Sequence, residues 1–342
     1  MSQRAEASRV PYMFFFSENS LLQLPGRSLL VTGIAGCVGG RVAALAQKRG
    51  MIVRGLQRSP DKASRVAKQL GVEVITGDIS DPKAATEACR GMDFVVHTAA
   101  LVTDRGPLKE FRRINVIGSA TMAEAARDAG VTTFVQISSV LVYGIQYPDD
   151  VAEDGPFYSG KSHYCLTKLE SERAVLKLHD PTNMRVVAIR AGDVYGPESQ
   201  PWVVRPLELM RTGEFKLLNG GRGICNHIYV DNLVDGIFLA IERDAAGDAI
   251  NLTDGQRTTW KEYYTRLARI GGLSDHFISL PAWLTKLTVS IIPGYQSTRE
   301  AIDFSTRKNA YSVRKAADVL GFFPRVSLDE GMERTRAWLQ KQ

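Results

Sequence analysis

The sequence predicts an α/β protein with a doubly wound parallel sheet and a smaller C-terminal cap. Strand-like apolar segments alternate with helical segments between residues 28 and 190, which implies parallel strands covered by helices on both faces. A glycine cluster separates the first strand from the first helix. Beyond Gly196 the alternation loosens, and Pro, Trp and Gly interrupt the chain. We therefore expect an N-terminal extension (1–27), a doubly wound domain (28–196) and mainly a cap (197–342), with segments of the cap returning to the core.

Each element is predicted from its own pattern of apolar residues. The pattern predicts strands at 28–32, 51–56, 72–76, 94–97, 134–138 and 185–190. It predicts helices at 38–49, 60–70, 82–90, 108–129 and 163–178 and, in the cap, at 231–241 and 259–270. The strands and helices alternate along the first half of the chain, as a doubly wound sheet requires.

Composition excludes several classes of protein. Of the 342 residues, 44% are hydrophobic and 23% are charged, which is ordinary for a folded chain. The net charge of +6 comes from basic and acidic residues that alternate, so no nucleic-acid surface is expected. No apolar run is long enough to span a membrane, and the patch at 12–16 is too short for a signal-peptide core. The four cysteines lack metal-site spacing, which favours reduced thiols, no metal site and a cytoplasmic location.

The glycine cluster reads VTGIAGCVGGRV and lies between the first strand and the first helix. Gly33, Gly36 and Gly39 let backbone N–H groups and the helix N-terminus approach a pyrophosphate, and Cys37 and Val38 lie in the same segment. A tight turn needs glycine even without a ligand, but the position after the first strand favours a dinucleotide site. We assign all five residues to a cofactor site in a Rossmann-type domain. Cys37 is expected to fill the turn and not to act as a redox switch.

The end of the second strand favours one form of the cofactor. An acidic residue there usually binds the adenosine ribose, and arginine accommodates a 2′-phosphate. This chain has Gln57 followed by Arg58, and a guanidinium can bind a phosphate through two hydrogen bonds. The alternative is that Arg58 is a solvated loop residue. NADP(H) is therefore favoured, and NAD(H) is possible.

Later strand ends supply further candidates for the cofactor site, because ligands bind at the carboxyl edge of such sheets. Asp78 follows the third strand and is positioned to accept a hydrogen bond from the adenine amino group. Ala99 and Ala100 follow the fourth strand and leave room for a ribose. The remaining members of this predicted set are Ile79 and Gly192. His97 ends the fourth strand and is expected to be structural.

A tyrosine and a lysine lie four residues apart in the segment YCLTK. Positions i and i+4 share one face of a helix, so the Tyr164 phenol and the Lys168 ammonium can address one space. Taken alone, the pair also fits a half-exposed aromatic residue beside a solvated lysine. Ser138 and Ser139 end the preceding strand.

The motifs taken together resemble a known family. TGxxGxxG, GDxxD, HxAA, NVxG, SSxxVYG, YxxxK and RxxxVYGP occur in this order between Thr32 and Pro197. This succession resembles the extended short-chain dehydrogenase/reductases, the NAD(P)-dependent epimerase/dehydratase group, and the resemblance covers roughly residues 29–339. The resemblance implies that Tyr164 is the catalytic acid/base and that Lys168 lowers its pKa and binds ribose. It also implies that Ser139 binds the substrate oxygen, that Asn115 supports the site, and that a homodimer forms through the helices near Leu108 and His163. His163 and Cys165 themselves point away from the Tyr164 face.

Three functions remain open within this resemblance. The first is an oxidoreductase that interconverts a hydroxyl and a ketone on a bulky apolar substrate, as in the branch near the 3β-hydroxysteroid dehydrogenases. The second is a nucleotide-sugar epimerase or dehydratase. Cys225 stands where that branch usually has arginine, although Arg222 lies nearby, and Val140 and Leu141 stand where dehydratases tend to have an acidic pair. The third is a non-catalytic dinucleotide sensor, but such proteins commonly lose the tyrosine or lysine.

The segment LPAWLTKLTVSIIPGYQ in the predicted substrate-binding cap has apolar residues at near-helical spacing, namely Trp283, Leu284, Leu287, Ile291 and Ile292. One interpretation is an amphipathic helix that buries this stripe on the core. The other is a mobile lid whose apolar face closes on a hydrophobic substrate or rests peripherally on a membrane. Under the second interpretation Trp283 contributes to substrate binding.

Overall fold

The computed structural model describes residues 22–103, 106–243, 245–291 and 299–342. Most of the predicted N-terminal extension, together with Ile292, therefore lies outside the described residues. Over the described ranges the chain folds around a central parallel sheet with helices on both of its faces.

The strands are short and mostly buried. Their bounds are β1 (Ser28–Thr32), β2 (Ile52–Gln57), β3 (Glu73–Thr76), β4 (Phe94–His97), β5 (Thr133–Ser139), β6 (Arg185–Ala191), β7 (Asp193–Tyr195), β8 (Lys216–Leu218), β9 (Ile224–Cys225), β10 (His227–Tyr229), β11 (Ala249–Leu252), β12 (Thr258–Thr259) and β13 (Ile278–Leu280). Seven of them form the central sheet in the order β11-β6-β5-β4-β1-β2-β3, and each neighbouring pair is parallel. The carboxyl ends of these strands therefore meet at one edge of the sheet.

The α-helices are α1 (Cys37–Lys48), α2 (Pro60–Leu70), α3 (Pro82–Cys89), α4 (Leu108–Phe111), α5 (Gly118–Asp128), α6 (His163–Leu176), α7 (Arg205–Arg211), α8 (Val230–Glu242), α9 (Trp260–Ile270), α10 (Ala282–Ile291), α11 (Arg299–Thr306), α12 (Arg314–Leu320) and α13 (Leu328–Leu339). Side chains of β1 alternate between the two faces, as strand geometry requires. Leu29 packs in a core with α1, α8 and α12, whereas Leu30 packs in a core with α3, α5 and α6. The predicted doubly wound fold is thereby confirmed.

The predicted elements match the structure closely in the first half of the chain. The strand β11 was not predicted, yet Ala249 to Leu252 pair with Ala188 to Ala191 of β6 at the edge of the central sheet. The helices α8 and α12 also pack against the central core. Segments that follow residue 197 therefore contribute to the sheet and its cover, while Tyr195, Tyr229, Trp260 and Tyr263 belong to a separate aromatic cluster.

The predicted helix at 108–129 contains a π-helical turn. Residues Arg112–Ile117 form this turn between α4 and α5. Such turns are rare and often occur at functional sites, and this one contains the buried Asn115. Gly118 follows it, where a Cβ would lie 2.8 Å from Ile79 Cδ1, so glycine allows the helix to approach the turn after β3 closely.

Candidate active site

The glycine loop has the geometry of a tight turn under a helix N-terminus. Gly33 has φ +65°, and a Cβ there would lie 2.9 Å from the Ala99 backbone nitrogen. A Cβ on Gly39 would overlap the Gly33 carbonyl oxygen. Gly36 is exposed, and only the Gly33 carbonyl oxygen lies near its Cβ position, at 3.3 Å. Glycine is thus required at two positions for packing, and at the third it leaves the loop surface open.

The first turn of α1 fits a dinucleotide phosphate. Gly36 is its N-cap and provides no side-chain hydrogen bond, and no acidic residue lies in the first turn. The first backbone N–H groups of α1, beginning at Cys37 and Val38, have no side-chain cap and can bind an anion. Cys37 itself donates to the Pro197 carbonyl at 3.2 Å, and burial raises the pKa of its thiol to about 12. It therefore fills the turn and has little thiolate available for redox chemistry.

Arg113 lies at the edge near β2 and β3 and was not among the predicted cofactor residues. Arg58 is exposed at the end of β2, where no carboxylate stands. Asp78 accepts hydrogen bonds from Ser80 N at 2.9 Å and Ser80 Oγ at 2.8 Å. Burial raises the pKa of Asp78, but these bonds and the nearby Arg113 guanidinium outweigh burial and lower it overall. Arg113 Nη1 also donates to Ser80 Oγ at 2.8 Å, so two arginines flank this edge.

Hydrogen bonds through Asn115 hold the residues after β4 against the neighbouring helices. Asn115 Oδ1 accepts from the Leu101 backbone N at 2.7 Å, and Asn115 Nδ2 donates to Thr167 Oγ1 at 3.2 Å. Asn115 thus holds the chain just after Ala99 and Ala100 against α6. His97 is fully buried with ring nitrogens 2.8 Å from Thr32 Oγ1 and 3.1 Å from Ser119 Oγ, and burial lowers its pKa to about 3. His97 is therefore a neutral structural residue, as expected.

The three predicted catalytic side chains lie together at the carboxyl edge of the sheet. Ser139 ends β5, and Tyr164 and Lys168 lie one turn apart on α6. The Ser139 hydroxyl acts as a hydrogen-bond partner of the Tyr164 phenol. Lys168 Nζ donates to the Ile137 carbonyl at 2.6 Å and is 3% exposed. The interpretation of Lys168 as a solvated lysine is therefore wrong.

The Tyr164 phenol is held in its protonated form. Burial raises the pKa of the phenol to about 12, against the smaller opposing effect of Ser139. The expected lowering of this pKa by Lys168 stays a prediction. Burial also lowers the pKa of the Lys168 ammonium to about 8, while the Glu172 carboxylate opposes this fall. The phenol is therefore protonated at neutral pH and is ready to donate a proton.

A buried ion pair between Arg190 and Glu172 lies next to the site, and the sequence analysis did not predict it. Glu172 Oε2 accepts from Ser138 Oγ at 2.6 Å, and Glu172 Oε1 accepts from Arg190 Nη2 at 2.6 Å. The side chains of Arg190 and Glu172 are 4% and 2% exposed. The available signal was the spacing of Glu172, which follows Lys168 by four residues on the same helix face.

Packing alone explains why residue 192 is a glycine. A Cβ there would overlap the Asn226 carbonyl oxygen, so glycine is needed for close packing after β6. The next residue, Asp193, forms a buried ion pair of 2.5 Å with Arg307. The assignment of Gly192 to the cofactor site stays a prediction.

The two neighbours of Tyr164, His163 and Cys165, make packing contacts. The His163 ring nitrogen Nδ1 lies 3.1 Å from the Gly106 carbonyl oxygen, and the ring packs edge-on against Phe111. Cys165 is buried, and burial raises the pKa of its thiol to about 11. Both residues have packing roles, as their positions on the helix indicated.

The apolar stripe of α10 does not pack on the core at its first three positions. Trp283 is 69% exposed, Leu284 is 43% exposed and Leu287 is 52% exposed. The interpretation of a helix that buries this stripe is therefore wrong for these residues. The side chain of Ile291 lies outside the described part of the chain. In the described residues we find no helix of the length and apolar character needed to cross a membrane.

Comparison with known proteins decides the family. A model of the NAD dependent epimerase/dehydratase family matches residues 29–253. The chain belongs to this family. The motif resemblance is thereby confirmed, and the chain has the fold of the epimerase/dehydratase family around the site described above.

Relatives within the NAD dependent epimerase/dehydratase family include oxidoreductases. A 4-hydroxy-2-methyl-3-oxo-4-farnesyl-3,4-dihydroquinoline-1-oxide ketoreductase of Stigmatella aurantiaca is 28% identical and covers 90% of this chain and 95% of its own length. The decarboxylating sterol-4-alpha-carboxylate 3-dehydrogenase of Mus musculus is 28% identical and covers 77% of this chain and 79% of its own. The structure of MoeE5 in complex with UDP-glucose and NAD is 25% identical, with a TM-score of 0.73, and covers 92% of this chain and 99% of its own. Together these findings support an NAD-dependent oxidoreductase.

Proposed function

We propose that this protein is an NADP(H)-favouring oxidoreductase that interconverts a hydroxyl and a ketone on a bulky apolar substrate. The observation that carries the proposal is the group formed by Ser139, Tyr164 and Lys168 at the carboxyl edge of the sheet. The Ser139 and Tyr164 hydroxyls are hydrogen-bond partners, and the buried Lys168 ammonium lies on the same face of α6 as Tyr164. This arrangement suits the transfer of a proton to a substrate oxygen.

Each side chain has a separate part in the proposed reaction. Ser139 donates a hydrogen bond to the substrate oxygen and orients it. Tyr164, which burial keeps protonated, gives its proton to that oxygen when a ketone is reduced. Lys168 binds the cofactor ribose, and its ammonium stabilises the negative charge that forms on the phenol. A bound nicotinamide would supply or accept the hydride.

The cofactor would lie along the carboxyl edge of the sheet. The N-terminus of α1 and the loop of Gly33, Gly36 and Gly39 would hold the pyrophosphate. Exposed Arg58 supports the NADP(H) preference, because no carboxylate at the end of β2 opposes a 2′-phosphate. Asp78, Ile79, Ala99 and Ala100 would line the adenosine and ribose portions.

An apolar substrate is favoured by the cap. Trp283, Leu284 and Leu287 are available to cover a hydrophobic molecule. A nucleotide sugar would bury two phosphates and many hydroxyls against such residues, which costs several kcal/mol if they lack partners. Cys225, at the place where arginine would bind a pyrophosphate, is 1% exposed. Two of the relatives described above are named for a farnesyl-bearing ketone and for a sterol carboxylate.

A nucleotide-sugar epimerase is the second candidate function. It is favoured by the similarity to MoeE5, whose structure contains UDP-glucose and NAD. Arg222 lies just before β9 and is exposed, so it remains a possible partner for a substrate phosphate.

Two further properties belong to this proposal. The proposed homodimer would form through the helices near Leu108 and His163. The four cysteines, Cys37, Cys89, Cys165 and Cys225, are all free thiols, which supports a reducing compartment such as the cytoplasm.

The test is a substrate screen of the purified protein. Ketosteroids, aryl ketones and UDP-sugars are offered with NADPH or NADH, and the nicotinamide absorbance is followed. Because epimerisation gives no net oxidation of the cofactor, the UDP-sugars are also analysed by chromatography. We expect NADPH oxidation with at least one apolar ketone. Saturable conversion of a UDP-sugar without turnover of any apolar ketone would instead identify an epimerase.

A further inference from the structure

Tyr158 lies in the loop before α6 and joins three parts of the molecule. Its backbone N–H donates to the Val142 carbonyl at 2.7 Å. Its hydroxyl accepts from the Ser162 backbone N–H at 2.6 Å and donates to Glu300 Oε1 at 3.0 Å. The first contact is with the turn after β5, the second is with the start of α6, and the third is with α11 of the cap.

The Tyr158 side chain packs closely against two glycines, Gly144 and Gly160. Gly144 has φ +76°, and a Cβ there would overlap Tyr158 Cδ2. A Cβ on Gly160 would lie 2.5 Å from the Tyr158 hydroxyl oxygen. Because neither site admits a larger residue without movement, the ring is held between the two loop segments, and its hydroxyl is directed to Ser162 and Glu300.

The two elements that Tyr158 joins carry the proposed catalytic hydroxyls. Val142 is three residues after Ser139, and Ser162 is two residues before Tyr164. Ser162 is also the N-cap of α6, and its side chain accepts from the Cys165 N–H at 3.4 Å. Tyr158 therefore links the segment that carries Ser139 to the segment that carries Tyr164, and the distance between their hydroxyls depends on this link.

The third contact extends this path into the cap. Glu300 lies in the first turn of α11. Asp303 on the same helix forms an ion pair with Lys286 of α10. The helix α10 is the one that exposes Trp283. A displacement of α10 and α11 would therefore act on the Tyr158 hydroxyl through Glu300.

We propose that Tyr158 is a positioning residue that couples the docking of α11 to the alignment of Ser139 with Tyr164. The inference rests on the proposed function of these two hydroxyls. When Glu300 holds the Tyr158 hydroxyl, the start of α6 is fixed relative to the end of β5. When α11 moves away, Tyr158 loses its acceptor, and the start of α6 is less firmly held. Closure of the cap over a substrate would thus complete the catalytic geometry.

The primary test is a double-mutant cycle of Tyr158→Phe and Glu300→Ala, with ketosteroid reduction by NADPH as the readout. Tyr158→Phe keeps the ring in place and removes only the hydroxyl. Misplacement of a catalytic group by about 1 Å can cost about 100-fold in rate, so we expect kcat to fall at least about tenfold in each single variant. The Kd of NADPH is expected to stay unchanged, and the unfolding free energy should fall by no more than the loss of these hydrogen bonds explains. The double variant should be no slower than the slower single variant, because both changes break one path.

Two further variants separate positioning from packing. Glu300→Gln retains an acceptor and should restore most of the kcat that Glu300→Ala loses. Tyr147→Phe is the matched control, since the Tyr147 hydroxyl also joins this loop to the cap, by donating to the Asn309 carbonyl at 3.1 Å. Within the described residues that hydroxyl has no hydrogen bond to α6, although the ring packs in one cluster with Leu169. Tyr147→Phe should keep kcat within about twofold of the wild type. A wild-type kcat in Tyr158→Phe, or losses that multiply in the double variant, would overturn the inference.

Amide hydrogen exchange provides a readout that does not depend on catalysis. We expect faster exchange at Ser162 and through the first turn of α6 in Tyr158→Phe and in Glu300→Ala, but not in Tyr147→Phe. Unchanged exchange in Glu300→Ala would overturn the coupling even if no ketone proves to be a substrate. Failure of the proposed function would appear separately, as turnover that survives Tyr164→Phe.

Discussion

Glu172 lies one helical turn beyond Lys168 on α6, and its carboxylate opposes the fall in the pKa of the Lys168 ammonium. Burial lowers that pKa to about 8, even with Glu172 present. Glu172 is in turn held by Ser138 and Arg190. Glu172 therefore helps to keep the Lys168 ammonium charged at neutral pH, and we expect burial of that charge to destabilise the folded protein.

Replacement of Lys168 by methionine is expected to stabilise the protein and to abolish its activity. The ordinary pKa of 10.5 falls to about 8 in the folded state, which corresponds to about 3 kcal/mol. Loss of the hydrogen bond to the Ile137 carbonyl offsets about 1 kcal/mol of this gain. We expect Lys168→Met to raise the free energy of unfolding by about 2 kcal/mol at about pH 7. Urea denaturation measures this change, and a loss of stability would contradict the account.

The stability gain has a defined pH dependence. Because the folded pKa lies below the unfolded one, the penalty is fully present below about pH 8 and disappears as the pH rises towards 10.5. The difference in unfolding free energy between Lys168→Met and the wild type should therefore be smaller at about pH 9.5 than at about pH 7. A constant difference would show that the charge of Lys168 is not its cause.

Arg58→Asp is expected to shift the cofactor preference from NADP(H) towards NAD(H). A charge-assisted hydrogen bond contributes about 1.5–3 kcal/mol, so the Kd of NADPH should rise roughly 10- to 100-fold. The Kd of NADH should fall or stay unchanged. Arg65→Asp on α2 makes the same charge change at another exposed position and serves as the control. Equal affinities of the wild type for NADPH and NADH would already contradict the proposed preference.

Trp283→Ala is expected to weaken binding of an apolar substrate. The loss of its contact should raise KM roughly tenfold, equivalent to about 1.4 kcal/mol, without changing the Kd of NADPH. Phe323→Ala removes another aromatic side chain that is 70% exposed and should leave KM unchanged. Steady-state kinetics with the best ketone from the screen decides this. If both variants behave alike, Trp283 has no specific part in substrate binding.

Local patterns were sufficient to predict the sheet core and to place Ser139 at a strand end and Tyr164 and Lys168 on one helix. The strand at 94–97 and the helix start at His163 agree with the structure, because apolar periodicity reports directly on burial. The glycine loop was recognisable for a similar reason, since Gly33 and Gly39 are required by contacts within a few residues or at the next strand end.

Features that depend on distant partners were not predictable. The strand β11 is only four residues long, and its place in the sheet comes from pairing with β6. The pairing of Arg190 with Glu172 and the contact between Tyr158 and Glu300 join residues that no local pattern relates. The stripe at Trp283 was visible, but periodicity does not tell which surface covers it. The rise in the pKa of Tyr164 was not anticipated, because it comes from burial, which depends on the whole fold.

The most direct test of the central claim is the turnover of Tyr164→Phe with NADPH and an apolar ketone that the wild type reduces. The ring still packs in this variant, but the proton donor is gone. We predict that kcat falls by roughly 100-fold or more, while the Kd of NADPH, measured by fluorescence titration, stays within about twofold of the wild type. A variant that binds NADPH normally and keeps more than about a tenth of the wild-type kcat would contradict the assignment of Tyr164 as the catalytic acid.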